Sequence, residues 1–209
     1  MAIKHAFTSA ISDGADNTLV QPSDWNADHT GTNTHDHSDA DNGGAVQSAS
    51  TTAAGVAELA TAAETTAGTD TGRTITPDGL AGSDYGKRFI DLQLIDDATS
   101  LGTGDGKKHW FVPSEFNGWN LVGVAGMVST VSSSGAPTYQ VRNVTDSHDM
   151  LSTALTIDAN EKTSYTAATP AVINTDYDDL ATGDDIAIDK DGAGTGEKGD
   201  VVRLVVQAP

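Results

Sequence analysis

Cysteine is absent from the chain, which excludes disulfides, thiol nucleophiles and thiolate metal sites. Basic residues are scarce: 11 Lys and Arg stand against 30 Asp and Glu, a formal net charge of −19. Phosphate recognition needs clustered Lys and Arg, and these are scattered, so neither nucleic-acid binding nor adhesion to an anionic membrane is expected. No apolar run approaches the roughly 20 residues of a membrane-spanning helix, so no membrane insertion is expected. The opening ten residues carry Lys4 and His5 but no apolar core of signal-peptide length. The chain is therefore expected to be made in a cytoplasm and to reach any exterior position by assembly. Large side chains are few as well. Hydrophobic residues make up 37% and aromatics 5%, below the roughly 45–50% apolar content of ordinary globular chains.

That shortfall is uneven, and its distribution outlines the organisation. Between Asn26 and Thr74 the chain is mostly Ala, Thr, Gly, Asp and Ser. Such a stretch cannot offset its ordering entropy with its own side chains; it is either disordered or held by neighbouring chains. Four segments follow. Residues 1–28 form an N-terminal anchoring segment with Ile3, Phe7, Ile11, Leu19 and Trp25 as apolar anchors, the first three spaced by four as on one helical face. Residues 29–48 are a polar linker. Residues 49–87 read as a short helical neck, with Ser50-Thr51-Thr52 capping a helix over Ala53–Ala63 and Pro77 at the first position of a second helical turn. Residues 88–209 carry alternating apolar and polar positions, as in Phe89, Asp91, Gln93 and in Tyr139 to Arg142, punctuated by Gly/Asp turns. The expected class is mainly β: an antiparallel, jelly-roll-like β-sandwich preceded by an extended anchor and neck.

Three runs resemble structural proteins of bacteriophage particles. The opening Met1 to His5, continuing through Asp13-Gly14-Ala15-Asp16-Asn17-Thr18-Leu19-Val20-Gln21-Pro22-Ser23-Asp24-Trp25-Asn26, looks like an N-terminal segment of phage virion proteins. Ala49 to Thr61, followed by Arg73-Thr74-Ile75-Thr76-Pro77, is similar to the repeat of phage tail-fibre proteins. Val141 to Asp146, Asp149 to Thr153 and Leu155 to Asp158 resemble a β-domain of phage fibres and of head or tail appendages. The resemblance implies a jelly-roll-like domain, a homotrimer, contacts with capsid or tail proteins, and no catalytic residues. The fibre repeat occurs once, which favours a short spike, collar or head appendage over a long fibre.

Two constellations bear on binding. In Thr34-His35-Asp36-His37, the two imidazoles of an extended chain point to one side. In a three-fold fibre, His35 and His37 would meet their copies on the trimer axis and enclose one transition-metal ion, as the resemblance to trimeric phage fibres also implies. The other reading is a His/Asp turn bonded to backbone. No other cofactor is expected. Trp110, Phe116 and Trp119, with His109 and Phe111, are the main aromatic concentration; they serve either core and subunit packing or contact with a host-surface glycan, with Glu115 and Asn117 as polar partners.

Enzymatic motifs are missing. There is no Gly-x-Ser-x-Gly elbow and no phosphate-binding loop. The pairs Asp96-Asp97, Asp178-Asp179 and Asp184-Asp185 sit beside turns and read as solvated loop charges, since adjacent strand residues face opposite ways. Asp189, Asp191, Gly194 and Asp200 match calcium-loop offsets, but Ala193 stands where an oxygen ligand is required, so that segment reads as a hairpin loop. The expected function is a non-enzymatic, trimeric virion appendage that adsorbs to the host surface, or alternatively a capsid-decorating or adaptor protein that binds only viral neighbours.

Overall fold

The computed structural model describes residues 11–15, 49–52 and 55–209. The chain divides into two compact units, one of Met1–Glu58 with Thr71–Thr74 and one of Leu59–Asp70 with Ile75–Pro209. The two-residue strands β1 (Glu58–Leu59) and β2 (Arg73–Thr74) lie at the points where the chain passes from one to the other.

The second unit begins with two short helices. The helix expected over Ala53–Ala63 is not formed at 55–61; α1 spans Ala62–Ala67. Its cap is Thr61, whose hydroxyl accepts from the Glu64 amide at 3.3 Å while the Glu64 carboxylate accepts from the Thr61 amide at 3.0 Å. This reciprocal box satisfies two orphan donors at once, an advantage that Ser50-Thr51-Thr52 lacks because no acidic residue follows them at that spacing. Gly68, at φ 64°, ends the helix in the left-handed region. Helix α2 (Pro77–Ala81) has Pro at its first position, as expected, and Thr76 accepts from the Gly79 amide at 2.9 Å. Both helices are tied into their unit. The Asp84 amide donates to the Thr66 hydroxyl, and the Gln207 side chain donates to the carbonyls of Ala81 and Ser83 at 2.8 Å.

The rest is mainly β, and its named strands pair antiparallel. In chain order the strands are β3 (Arg88–Gln93), β4 (Gly104–Phe111), β5 (Trp119–Thr130), β6 (Thr138–Asn143), β7 (His148–Asp149), β8 (Leu151–Thr153), β9 (Leu155–Thr156), β10 (Val172–Ile173), β11 (Asp179–Leu180), β12 (Asp185–Gly192) and β13 (Lys198–Gln207). One sheet runs β11-β5-β13-β3. The other runs β4-β12-β6-β7, with β9 also beside β6, and β10 pairs β8 separately. Ser164–Thr166 forms a 3-10 turn, and β7, β8 and β11 are short two- or three-residue pairings.

Both sheets feed one core. Leu92, Leu121, Val128, Val202, Leu204 and Val206 come from the first, and Tyr139, Val141, Ile186 and Ile188 from the second. This shared core is the arrangement of a β-sandwich. Alternation dictates which residues enter: in β6, Tyr139, Val141 and Asn143 are buried and their neighbours only half-buried. Each buried aliphatic side chain contributes about 1.5–3 kcal/mol.

Candidate functional site

The outer face of the first sheet carries several exposed apolar side chains. In β13 the core takes Val202, Leu204 and Val206, so Val201, Arg203 and Val205 must face outward. Register then lines up three rows across the sheet: Phe89, Val205 and Gly123; Asp91, Arg203 and Ala125; Gln93, Val201 and Met127. Gly123 pairs with Val205 and Leu121 with Val206, which leaves Val122 as a bulge on β5. The result is a face on which Phe89 (60% exposed), Met127 (40%) and the bulged Val122 (41%) are open to solvent. Tyr165, on the 3-10 turn, borders a depression with Asp91, Ala125, Met127, Thr163 and Arg203.

One ion pair crosses this face. Arg203 grips Asp91 with two prongs, Nε to Oδ1 at 2.6 Å and Nη2 to Oδ2 at 2.8 Å, and its guanidinium lies 5.5 Å from the Phe89 ring centre. The hydrogen bond from Arg203 holds the Asp91 carboxyl below its ordinary value. The sequence signal for this face was Val201-Val202-Arg203-Leu204-Val205-Val206, a nearly unbroken apolar run that marks a strand apolar on both sides.

The aromatic residues singled out from the sequence do come together. Trp110 and Phe116 meet edge-to-face at 5.9 Å, and Phe116 and Trp119 at 4.9 Å. All three are half-buried against the core. Within β4 and beyond, Trp110 and Val112 turn inward while His109 and Phe111 are exposed, as alternation requires. The Arg88 guanidinium sits 5.9 Å from the Trp119 ring, beside an open groove bordered by Pro77, Leu80, Tyr85 and Ala208. The Asn117 carbonyl oxygen already accepts from the Thr182 amide and hydroxyl, at 3.0 and 3.2 Å.

The acidic pairs differ from one another. Asp184 is 5% exposed and is not a solvated loop charge: its Oδ2 accepts from the Ala181 amide at 2.8 Å and from the Asn143 side chain at 3.1 Å. Asp185 bonds the His109 ring at 2.7 Å. Burial first, and then the neighbouring Asp179 charge, push the Asp178 carboxyl up. In the calcium-loop look-alike, Asp189 instead ion-pairs with Arg142 at 2.7 Å and accepts from the Gly106 amide, and Asp200 is sealed in the core. The segment connects β12 to β13, which lie in different sheets and do not pair, so it is a crossing loop between the sheets and not the expected hairpin.

Ile11 is described and 75% exposed. The other anchoring residues, Ile3, Phe7, Leu19 and Trp25, and both His35 and His37, lie outside the described residues. Among the described residues no group of three or more His, Asp or Glu side chains is placed to hold a metal ion, and no helix is long and apolar enough to cross a membrane. Compared with protein-family models, curated proteins and solved structures, the chain gives no match.

Proposed function

We propose that this chain is a non-enzymatic structural subunit of a bacteriophage particle: a trimeric fibre- or spike-like appendage that carries a jelly-roll-like β-sandwich outward from the virion. The observation that supports this reading is the outer face of the β11-β5-β13-β3 sheet. Exposed apolar patches on a β-domain mark association surfaces. With a net charge of −19, copies of this chain repel one another over most of their surface. The three rows of this face carry only Asp91 and Arg203, which cancel. A second copy is therefore the occupant that suits it best.

In this reading the anchoring residues Ile3, Phe7, Ile11, Leu19 and Trp25 dock onto a capsid or tail protein. His35 and His37 of three copies converge on the axis, where imidazoles would take a transition metal. Trp110, Phe116 and Trp119, with the groove beside Trp119, contribute the contact with host glycan. Three weak contacts on one stalk then act together, raising avidity well beyond that of one domain.

The test is the mass in solution. Light scattering on the whole chain is expected to give three times 21.4 kDa, falling to a single 21.4 kDa in the double variant Phe89→Asp, Met127→Asp. A wild-type chain that stays monomeric at high concentration defeats the trimer. A double variant that remains trimeric removes this face from the interface.

A further inference from the structure

Inside the sandwich, on the side opposite the face just described, four polar side chains are sealed among aliphatic residues. Lys190 on β12 is 1% exposed, Glu197 2%, and Asp200 on β13 and Tyr139 on β6 are both 0%. Lys190 Nζ lies 2.5 Å from Asp200 Oδ2 and 3.0 Å from Glu197 Oε1. Tyr139, the cross-strand partner of Lys190, donates its hydroxyl to the same Asp200 Oδ2 at 2.9 Å. Asp200 Oδ1 has no hydrogen-bond partner.

As ions these groups are badly placed. One ammonium faces two carboxylates, so the core holds a net negative charge, and a buried carboxylate oxygen is left unpaired. Burial of ions costs several kcal/mol each after relaxation, and only full pairing offsets it. As reactants they are well placed. A nucleophile, a proton carrier and an electrophile with a donor on its leaving oxygen are held in contact where water is excluded.

The geometry points to an intramolecular amide cross-link between Lys190 Nζ and Asp200 Cγ, formed by condensation with Glu197 as the proton carrier. Glu197 takes a proton from the Lys190 ammonium and frees the amine lone pair. The N–Cγ bond forms by attack on Asp200 while Tyr139 hydrogen-bonds Oδ2, on which negative charge gathers. A second nitrogen proton and the one held by Glu197 pass to Oδ2, the Cγ–Oδ2 bond breaks, and one water leaves. The balance closes without any oxidant or co-reactant: ammonium plus carboxylate gives amide plus water, the charges of Lys190 and Asp200 vanish, and Glu197 ends as the carboxylate it began as. Oδ1 remains as the amide carbonyl, which is neutral and tolerates its unpaired position better than a carboxylate does. Contact of this quality is worth an effective concentration on the order of 10⁵ M or more, and the dry core protects the product from hydrolysis. The link joins β12 of one sheet to β13 of the other and closes the connecting loop into a ring. It would harden a virion-surface domain but stands independently of that role.

Mass spectrometry of the intact, denatured chain tests the proposal. The expected mass is lower than the sequence mass by about 18 Da, one water. Trypsin is expected to spare the acylated Lys190 and to release residues 163–198 joined to residues 199–203. Lys190→Arg, which keeps the charge but cannot condense, and Glu197→Gln are each expected to show the full mass of their own sequences while still melting cooperatively. A wild-type chain at full sequence mass with cooperative melting overturns the cross-link. So does a loss of water that maps to Asp191-Gly192 as a cyclised backbone. A folded Glu197→Gln chain that loses water as the wild type does overturns the role given to Glu197.

Discussion

Replacing Asp184 by Ala separates a buried structural carboxylate from a solvated loop charge. The side chain is 5% exposed, and its Oδ2 holds the Ala181 amide at 2.8 Å and the Asn143 amide nitrogen at 3.1 Å. Asn143 is itself 3% exposed and keeps a second acceptor, Asp146 Oδ2, at 3.0 Å. The change therefore leaves the Ala181 amide without its side-chain acceptor and takes from Asn143 one of its three side-chain bonds, since its Oδ1 still accepts from the Asp146 amide at 3.3 Å. A buried donor left unpaired costs about 1–3 kcal/mol, and bonds to a charged acceptor lie at the upper end. Removal of the carboxylate is expected to destabilise the domain by about 1–3 kcal/mol, since the amide of the exposed Ala181 exchanges its charged acceptor for water and the buried Asn143 side chain loses one of three bonds. Urea unfolding followed by fluorescence reads the effect as a lower midpoint at unchanged slope. Asp184→Asn keeps one acceptor oxygen and is expected to lose about half as much. A loss for Asp184→Ala within about 0.5 kcal/mol, the range of ordinary surface substitutions, refutes the argument.

Three further outcomes are expected. Gly86→Ala brings a Cβ to within 1.9 Å of the Ala81 carbonyl oxygen, a backbone atom that cannot swing aside; a loss of about 1–3 kcal/mol in urea unfolding follows. Because Arg203 lowers the Asp91 carboxyl from its usual 3.8, this pair's stability is complete above that value and is lost as pH falls through the lowered one, whereas Asp178, raised by burial, favours folding as it takes up its proton. The Asp91 pair is half-exposed, so its contribution is small, under about 1 kcal/mol, and is read as the part of the acid-induced loss that Arg203→Gln abolishes. Trp119→Ala removes the 4.9 Å contact with Phe116 and the Arg88 stack; thermal melting should fall, and adsorption to host cells should fall with it if glycan binds there, while unchanged adsorption by the folded variant confines Trp119 to packing.

The sequence by itself determined the division between a stretch with too few large side chains to build its own core and a β-rich remainder, because burial scales with apolar area and alternation has a period of two. It placed Tyr139 and Val141 inward, grouped Trp110, Phe116 and Trp119, and set Pro77 at a helix start. The capping box is also legible in the three-residue spacing of Thr61 and Glu64. Tertiary structure decided what no local pattern carries. A run such as Val201 to Val206 says that both faces of a strand are apolar, but not which residues meet the second sheet; that depends on register, and the bulge at Val122 shifts it. Asp184, Lys190, Glu197 and Asp200 read as ordinary loop and strand charges, since a charge's cost and chemistry depend on exposure and partners. Those are set only when β12 and β13 close over them from opposite sheets, bringing an ammonium and two carboxylates into contact without water.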